Sequence, residues 1–303
     1  MAKQLRSRTI LLAKNGGAPS STDVVNITSL SLSFETKGGD FKEMRGFQGG
    51  KQNYKVKDYR LASGTIETML RSNGGGSALP KLTELFLMCG LQYSQDDTNN
   101  LVTFTPKTGE VGTGTLVRYM DDEKETIENV TLNLKFDFEV GYPIKASFDF
   151  KGFAQMPQVE NNPTDITLDT NDLFIVDGIS VVTLSGAVLN MTKASFDLGN
   201  SLQEIYATGL KEIYREDYEP TLTIEDIKVK GDNAHWSDLL AGNIKSVSIK
   251  LQSADGSSSF EFNAPKCRYI DVSEDDVNGA TGLSRKFALE AVSGDENFSF
   301  TYK

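Results

Sequence analysis

The stretch at residues 129–152 constrains the fold more than any other part of the sequence. Large apolar residues alternate with polar or charged ones through 130–139, and the alternation resumes through 145–150. A period of two places one set on a buried face of a β-strand and the other on a solvated face. The Gly-Tyr-Pro sequence at 141–143 interrupts the pattern with residues typical of a turn. The stretch therefore predicts a long antiparallel hairpin with one dry face and one charged, wet face.

Length and charge limit the class of protein. A chain of 303 residues can form one large or two medium domains. It carries 31 basic and 42 acidic residues and a net charge of −11, which argues against binding to phosphate backbones. Cys89 and Cys267 are too few for a secreted disulfide scaffold, so we expect both to be reduced in a cytoplasm. We expect no signal peptide and no membrane-spanning segment, because the apolar runs are too short.

Short motifs in the first half of the chain recur, in the same order, in the second half. The tetrapeptide Val-Asn-Ile-Thr at 25–28 is echoed by Leu-Asn-Met-Thr at 189–192. Gly-Thr-Ile-Glu at 64–67 is echoed by Leu-Thr-Ile-Glu at 222–225. Weak echoes that keep their order along a chain indicate an internal duplication.

The elements around these motifs predict a mainly β fold of two tandem β-sandwich domains, each with one flanking α-helix. The first helix is predicted at 79–89 with Ser77 as its N-cap, and the second at 233–241. The polar stretches at 37–58 and 199–219 are predicted as long loops. The predicted division is an N-terminal arm (1–24), a first domain (25–154), a connector with a small hairpin turning at Asp177-Gly178 (155–187), and a second domain (188–303).

The residue types that usually carry catalysis are scarce or lack the required spacing. His235, the only histidine, lies in the first turn of a predicted helix, and neither cysteine has a partner at metal-ligand spacing. The glycines at 74–76 lack the Gly-Lys-Ser/Thr ending of a phosphate loop. The acidic runs at 121–123 and 275–276 could ligate calcium, but they lack the EF-hand pattern and are typical of solvated turns. The sequence predicts no enzyme, no cofactor and no metal site.

A family resemblance is carried by the N-terminal segment, the end of the first predicted helix, the central hairpin and two strand segments of the second half: 4–14, 85–91, 129–153, 195–200 and 262–266. Through these segments the chain resembles the major tail tube protein of long-tailed, siphovirus-type bacteriophages, in a form with a duplicated tube domain. The resemblance runs along nearly the full length.

The resemblance implies a structural virion protein that self-assembles into stacked rings, the tail tube, as a conduit for DNA ejection into the host cell. Tubes of this type commonly have six tube domains per ring, so a duplicated chain implies a trimeric, pseudo-hexameric ring. The implied partners are further copies of the chain, tail terminator and tail tip proteins at the ends, and tape measure protein and phage DNA in the lumen without specific binding. The implied location is the virion tail, after assembly in the cytoplasm of the host bacterium.

Two groups of residues are candidates for this function. Acidic residues on wet strand faces would line the lumen and repel phosphate, so that DNA slides instead of binding. This lumen group comprises Asp137, Glu139, Asp149, Asp197 and Glu290. The predicted loops at 37–58 and 199–219 carry opposite net charge, which would favour their alternation around a ring. The alternative is two solvated loops with accidental charge. The loop-contact candidates are Lys51, Lys55, Lys57, Glu212, Glu216 and Asp217.

Other functions are compatible with parts of the pattern. Another ring-forming phage protein, such as a head–tail connector or a tail terminator, would also be built from β-domains. A carbohydrate-binding β-sandwich would be mainly β and acidic, but it would display exposed aromatics in a groove, and the chain has one tryptophan. A hydrolase would need a triad for which the sequence offers no plausible members.

Overall fold

The computed structural model describes residues 9–45, 48–56, 58–107, 109, 112–229, 233–253, 256–277, 280–292, 294 and 296–303. Strands form 60% of the structure and helices 5%, which confirms the prediction of a mainly β fold. Neither helix in these ranges is long and apolar enough to cross a membrane.

The first half of the chain contains eleven strands and one helix. They are β1 (Ile10–Asn15), β2 (Val24–Val25), β3 (Ser29–Glu35), β4 (Gly38–Arg45), β5 (Gln48–Lys55), β6 (Leu61–Met69), α1 (Thr83–Met88), β7 (Leu91–Asp96), β8 (Leu101–Pro106), β9 (Gly114–Met120), β10 (Glu123–Glu139) and β11 (Lys145–Ala154).

The second half contains the remaining strands and the second helix of the described residues. They are β12 (Gln158–Val159), β13 (Val181–Leu184), β14 (Ala187–Val188), β15 (Met191–Asp197), β16 (Asn200–Ala207), β17 (Leu210–Tyr218), β18 (Thr221–Ile227), α2 (Ala234–Ala241), β19 (Ile244–Gln252), β20 (Ser259–Val277), β21 (Ala280–Leu289) and β22 (Ser299–Tyr302).

The central hairpin forms as predicted, from β10 and β11. The two strands pair antiparallel, with Leu134 opposite Phe148 and Asp137 opposite Lys145. The alternating apolar residues of β10 are all fully buried: Val130, Leu132, Leu134, Phe136 and Phe138. On the opposite face, the predicted wet surface holds from Lys135 to Glu139. It is wrong for Thr131 and Asn133, which are buried and hydrogen-bond to β17 and β16.

One antiparallel sheet crosses from the first half of the chain to the second. Its strand order is β3-β6-β11-β10-β15-β18-β21-β20. The two halves meet where β10 pairs with β15, from Lys135 opposite Asp197 to Glu139 opposite Lys193. We call this β10–β15 pairing the seam. On each side of the seam lie four strands in the same relative order, which is the arrangement that an internal duplication predicts.

The two long strands β10 and β20 also extend into further sheet segments. The N-terminal part of β10 pairs with β9, which pairs with β1. The N-terminal part of β20 pairs with β19 and with β22, and β22 pairs in turn with β8 of the first half. The last strand of the chain therefore ties the second half back to the first.

The main hydrophobic core of the described residues lies between these sheet segments and draws on both halves. Phe86 of α1 occupies its centre. The Phe86 ring lies 5.0 Å from the Phe104 ring, 6.2 Å from that of Phe136 and 5.0 Å from that of Phe300 in the last strand. Edge-to-face aromatic packing of this kind adds stability beyond the buried area. The core fixes the sheet so that its polar face points away from α1.

The first helix is shorter than its sequence predicts. It begins at Thr83 rather than near residue 79, and Leu82 occupies the N-cap position without a side-chain cap. The prediction of Ser77 as the cap is wrong, because its hydroxyl bonds the Asp97 carboxylate instead. The second helix ends as predicted, with Gly242 in the left-handed conformation at φ +64°.

The two stretches predicted as long loops are β-hairpins. Residues 38–45 and 48–55 form β4 and β5, and residues 200–207 and 210–218 form β16 and β17, each pair a separate two-stranded sheet. The loop prediction is therefore wrong at both sites. Neither stretch shows a clean alternation of apolar and polar residues, so local pattern could not identify the strands.

The small hairpin of the connector also differs in position from its prediction. It is formed by β13 and β14 and turns at Ser185-Gly186, both at positive φ. At the predicted turn, the Asp177 carboxylate instead accepts hydrogen bonds from the backbone N–H groups of Ile179 and Ser180. Asp177 thus closes a short local turn before β13 begins.

Candidate lumen and assembly surfaces

The polar face of the eight-stranded sheet is the first candidate surface. On β10 it presents Lys135, Asp137 and Glu139, which alternate with the buried apolar residues. Asp149 on β11 and Asp197 on β15 lie on the same face, since Lys135 ion-pairs with both carboxylates. The structure thus brings four of the five predicted lumen acids onto one face of one sheet.

Lys135 lies between two of these acids. Its Nζ is 2.9 Å from Asp149 Oδ2 and 3.5 Å from Asp197 Oδ2. The hydrogen bond with Asp149 raises the pKa of Lys135 above its ordinary value. Asp149 also accepts a 2.6 Å hydrogen bond from the Thr65 hydroxyl, and Asp197 accepts one of 2.8 Å from the Asn133 side chain. A network across four strands therefore holds these carboxylates.

Basic residues accompany the acids elsewhere on this face. Lys145 Nζ lies 2.5 Å from Glu67 Oε1, and this hydrogen bond is the main reason why the pKa of Glu67 lies below its ordinary value. Lys193 stands opposite Glu139 on one side and Glu225 on the other. The face therefore carries both signs of charge, arranged as cross-strand neighbours rather than as one uniform acidic field.

Glu290 occupies a different place from the other predicted lumen acids. It directly follows β21, and its Oε2 accepts a 3.1 Å hydrogen bond from Nη2 of Arg268. Arg268 also donates to the Gly242 carbonyl at the C-terminal end of α2. The bond with Arg268 lowers the pKa of Glu290. This carboxylate is therefore engaged beside α2 and not in the Lys135 network.

The second candidate surface is a junction within the chain, where the base of the first long hairpin contacts the middle and the tip of the second. Lys37, just before β4, places its Nζ 2.8 Å from Glu204 Oε1 on β16. The Tyr59 hydroxyl donates to Glu204 Oε2 at 2.6 Å. Burial, followed by the bond to Glu204, raises the pKa of Tyr59 to about 12. The bond with Glu204 likewise raises the pKa of Lys37.

A second polar contact and a small apolar cluster complete this junction. Tyr206 donates a 2.7 Å hydrogen bond to Asp58, and Lys211 Nζ lies 3.1 Å from Asp58 Oδ2. These bonds hold the pKa of Asp58 below its ordinary value. Beneath them lies a cluster drawn from both halves: Tyr59, Leu61, Phe153, Leu202 and Ile213. Long-range contacts of this kind leave no trace in local sequence pattern.

Of the predicted loop-contact residues, those whose side chains the structure describes lie on the hairpins. Lys55 ends β5 and is exposed. Lys57 and the side chain of Lys51 lie outside the described residues. The three acidic candidates of β17 are all exposed: Glu212, Glu216 and Asp217. Sequence reasoning instead missed the residues that join the hairpins, Lys37, Asp58, Glu204 and Lys211.

The two ends of the eight-stranded sheet form the third candidate surface. Among the described residues, β3 pairs with β6 alone, and residues 271–277 of β20 pair with β21 alone. On β3, Leu30 and Leu32 are half-buried and Phe34 is 37% exposed. An exposed strand edge with apolar side chains is a template for pairing with another chain.

The acidic run at 121–123 has a local explanation. Asp121 and Asp122 both have positive φ and form the two-residue turn that joins β9 to β10. Asp and Asn are favoured in such turns because they tolerate this conformation. The side chains of the second run, at 275–276, lie outside the described residues.

The structure is thus that of a mainly β protein whose eight-stranded antiparallel sheet has an apolar face, a charged face and two edges that are unpaired among the described residues. The family model for phage tail tube protein matches residues 43–301, so the chain belongs to the phage tail tube protein family. It is accordingly a structural component of the virion tail. A search of curated protein sequences found no match.

Proposed function

We propose that three copies of this chain close into a pseudo-hexameric ring, and that the rings stack into the tail tube of a siphovirus-type phage. In this proposal each chain contributes two tube domains, residues 25–154 and 188–303, with 1–24 as an arm and 155–187 as the connector. The observation that carries the proposal is the seam. It joins two sets of four strands, which follow each other in the same relative order, into one sheet. The outer edges of this sheet, at β3 and at residues 271–277 of β20, remain unpaired among the described residues.

The polar face of the sheet is the proposed lumen wall. Asp137, Glu139, Asp149 and Asp197 lie on it, and the Lys135 network holds the last two in place. Paired charges bind phosphate weakly, because each cation already has a carboxylate partner at short range. Together with the net charge of −11, this wall would let phage DNA and tape measure protein pass without specific binding.

The ends of the tube would contact tail terminator and tail tip proteins, and the exposed parts of the long hairpins would contact neighbouring copies. Lys51 and Lys55 of β5, together with Lys57, would face Glu212, Glu216 and Asp217 on the second hairpin of a neighbour. Opposite charge across such contacts favours the correct alternation of halves. Assembly would take place in the cytoplasm of the host bacterium before DNA ejection through the tube.

Electron microscopy of the purified, concentrated protein tests the proposal. Tubes of indefinite length with three chains per layer support it. Six chains per layer, or a ring in which each chain contributes a single domain, would overturn it. Single closed rings that never stack would favour a connector or terminator role instead.

A further inference from the structure

The seam inside the chain provides a template for the contact between chains, provided that the two halves match residue by residue. The first match is at Thr28 and Thr192. The Thr28 hydroxyl donates to the Glu67 carbonyl at 3.0 Å, and the Thr192 hydroxyl donates to the Glu225 carbonyl at 3.1 Å. In both halves this threonine directly precedes the residue that pairs with that glutamate. β3 therefore corresponds to β15, and β6 to β18.

The match extends across the sheet through strand register. Ser147 of β11 pairs with Glu67, and Ser284 of β21 pairs with Glu225. On their other sides, Ser147 pairs with Lys135 of β10, whereas Ser284 pairs with Ser273 of β20. Lys135 and Ser273 therefore hold equivalent positions on the outer strands of the two sets.

Equivalent positions on β3 and β15 follow from the same register. Ser29 corresponds to Lys193, since they pair with Glu67 and Glu225. Four residues further along, Ser33 corresponds to Asp197. Within the chain, Asp197 pairs with Lys135 across the seam. The corresponding pair, Ser33 with Ser273, lies at the two open ends of the sheet.

The burial of apolar side chains at the seam supports the use of its register for the contact between chains. Leu198, just beyond β15, is 1% exposed, whereas its counterpart Phe34 on β3 is 37% exposed. Phe196 is likewise buried at the seam, while its counterpart Leu32 is half-buried. The positions that the seam covers in the second half are thus left partly uncovered in the first, and a second strand on β3 would bury them.

We propose that β3 of one chain pairs antiparallel with residues 271–277 of β20 in a second copy, with Ser33 opposite Ser273. This inference rests on the proposed ring, and it fixes the register of the contact that closes it. The partner is a second copy of this chain, because its exposed edge reproduces the strand that β15 meets within the chain. Every chain offers one edge of each kind, which gives a head-to-tail contact able to close into a ring.

The hydrogen-bond pattern of the seam makes the register testable by cross-linking. The Leu198 N–H donates to the Leu134 carbonyl at 2.9 Å, and the Val140 N–H donates to the Thr192 carbonyl at 3.2 Å. The pair Lys135–Asp197 is next to the hydrogen-bonded pair Leu134–Leu198. Because hydrogen-bonded and non-hydrogen-bonded pairs alternate along antiparallel strands, Lys135 and Asp197 form a non-hydrogen-bonded pair. Side chains approach most closely at such pairs, with Cα atoms about 4.5 Å apart, which is within the range of a disulfide.

The variant S33C/S273C should form disulfides between chains when the assembled protein is oxidised. Non-reducing electrophoresis should show covalent dimers and trimers. The matched control S31C/S273C shifts one partner by two residues, to a diagonal distance of about 7–8 Å. It should yield about ten-fold less cross-linked product, because this distance exceeds disulfide reach. The native Cys89 and Cys267 are fully buried and do not compete.

Two further samples keep the test decisive. The variant D137C/S195C places cysteines opposite each other within one chain, so it should form a disulfide without any dimer. Mixing S33C with S273C single variants should give covalent dimers and no trimers. Rings or tubes in which S33C/S273C fails to cross-link, or in which S31C/S273C cross-links as well, overturn the register alone. Wild-type protein that remains monomeric at every concentration overturns both the register and the proposed ring.

Discussion

Lys37 and Glu204 form an ion pair with 2.8 Å between Nζ and Oε1, although one precedes the first long hairpin and the other lies on the second. Glu204 also accepts the hydroxyl of Tyr59, a residue that is fully buried as a whole. One carboxylate therefore serves two donors from the other half of the chain. The hairpins are held to each other through this carboxylate, through the contacts of Asp58 with Tyr206 and Lys211, and through the apolar cluster beneath them.

Replacing Glu204 should loosen the junction. We expect E204A to lower the free energy of unfolding by about 1–2 kcal/mol, because the Tyr59 hydroxyl loses its acceptor while most of the ring stays buried. Urea denaturation followed by circular dichroism measures the change. E216A, on the exposed face of β17, should change stability by no more than about 0.5 kcal/mol. Equal effects of the two variants would show that the contacts of Glu204 add no more to the free energy of unfolding than an exposed carboxylate does.

The core and the sheet edge should respond differently to the loss of a phenylalanine ring. F136A removes a fully buried side chain that lies beside Phe86 and should cost about 3–5 kcal/mol of stability. F34A removes a half-exposed ring stacked on the Arg60 guanidinium and should cost about 1 kcal/mol or less. F34A should nevertheless reduce tube yield, measured by sedimentation. Normal assembly of a folded F34A protein would argue against β3 as a contact edge.

Gly64 is required by the close approach of β3 to β6. A Cβ at this position would lie 2.0 Å from the Ser31 carbonyl oxygen, a backbone atom that cannot move without breaking the pairing. We expect G64A to lower the free energy of unfolding by about 1–3 kcal/mol. Gly178 has open space around it and φ outside the left-handed region, so G178A is the matched control and should be neutral. Thermal unfolding of the two variants distinguishes them.

Acid should destabilise the folded chain. The pKa of Glu67 is lowered by its bond with Lys145, and that of Asp58 by its bond with Tyr206. A carboxylate with a depressed folded-state pKa contributes stability above its unfolded pKa, and this contribution is lost as pH falls through the folded value. The melting temperature should therefore fall as pH drops below about 4. The melting temperature of E67Q should decline less steeply, since the amide introduced by this substitution cannot take up the proton that Glu67 takes up. If the pH profiles of E67Q and wild type are identical, protonation of Glu67 does not contribute to the acid sensitivity.

Charge reversal on the first hairpin tests the proposed contacts between neighbouring copies. The triple variant K51E/K55E/K57E should retain the wild-type circular dichroism spectrum but form few tubes, because like charges would then face the acidic residues of β17. Electron microscopy at equal protein concentration measures tube yield.

A control triple reversal at exposed lysines away from the hairpins uses K81E/K107E/K303E. It changes net charge by the same amount and should leave more tubes than the hairpin variant. If the two triple variants reduce assembly equally, net charge rather than hairpin contact is responsible.

Sequence pattern succeeded where neighbours in the fold are also neighbours in the chain. The alternation through 130–139 and 145–150 predicted β10 and β11, because a period of two reports directly on a half-buried strand. It failed for β5, whose sequence is polar and glycine-rich, and for the start of α1, where Ser77 resembles a cap but bonds Asp97 instead. Pairings such as Lys135 with Asp197 join distant segments, so no local window contains them.

The seam has a consequence for stoichiometry. Lys135 and Asp197 belong to one polypeptide, so their strands are synthesised in equal number and meet at an effective concentration that dilution cannot lower. The pairing at the seam therefore survives in a dilute, unassembled chain, and only contacts between copies depend on how much protein the cell has made.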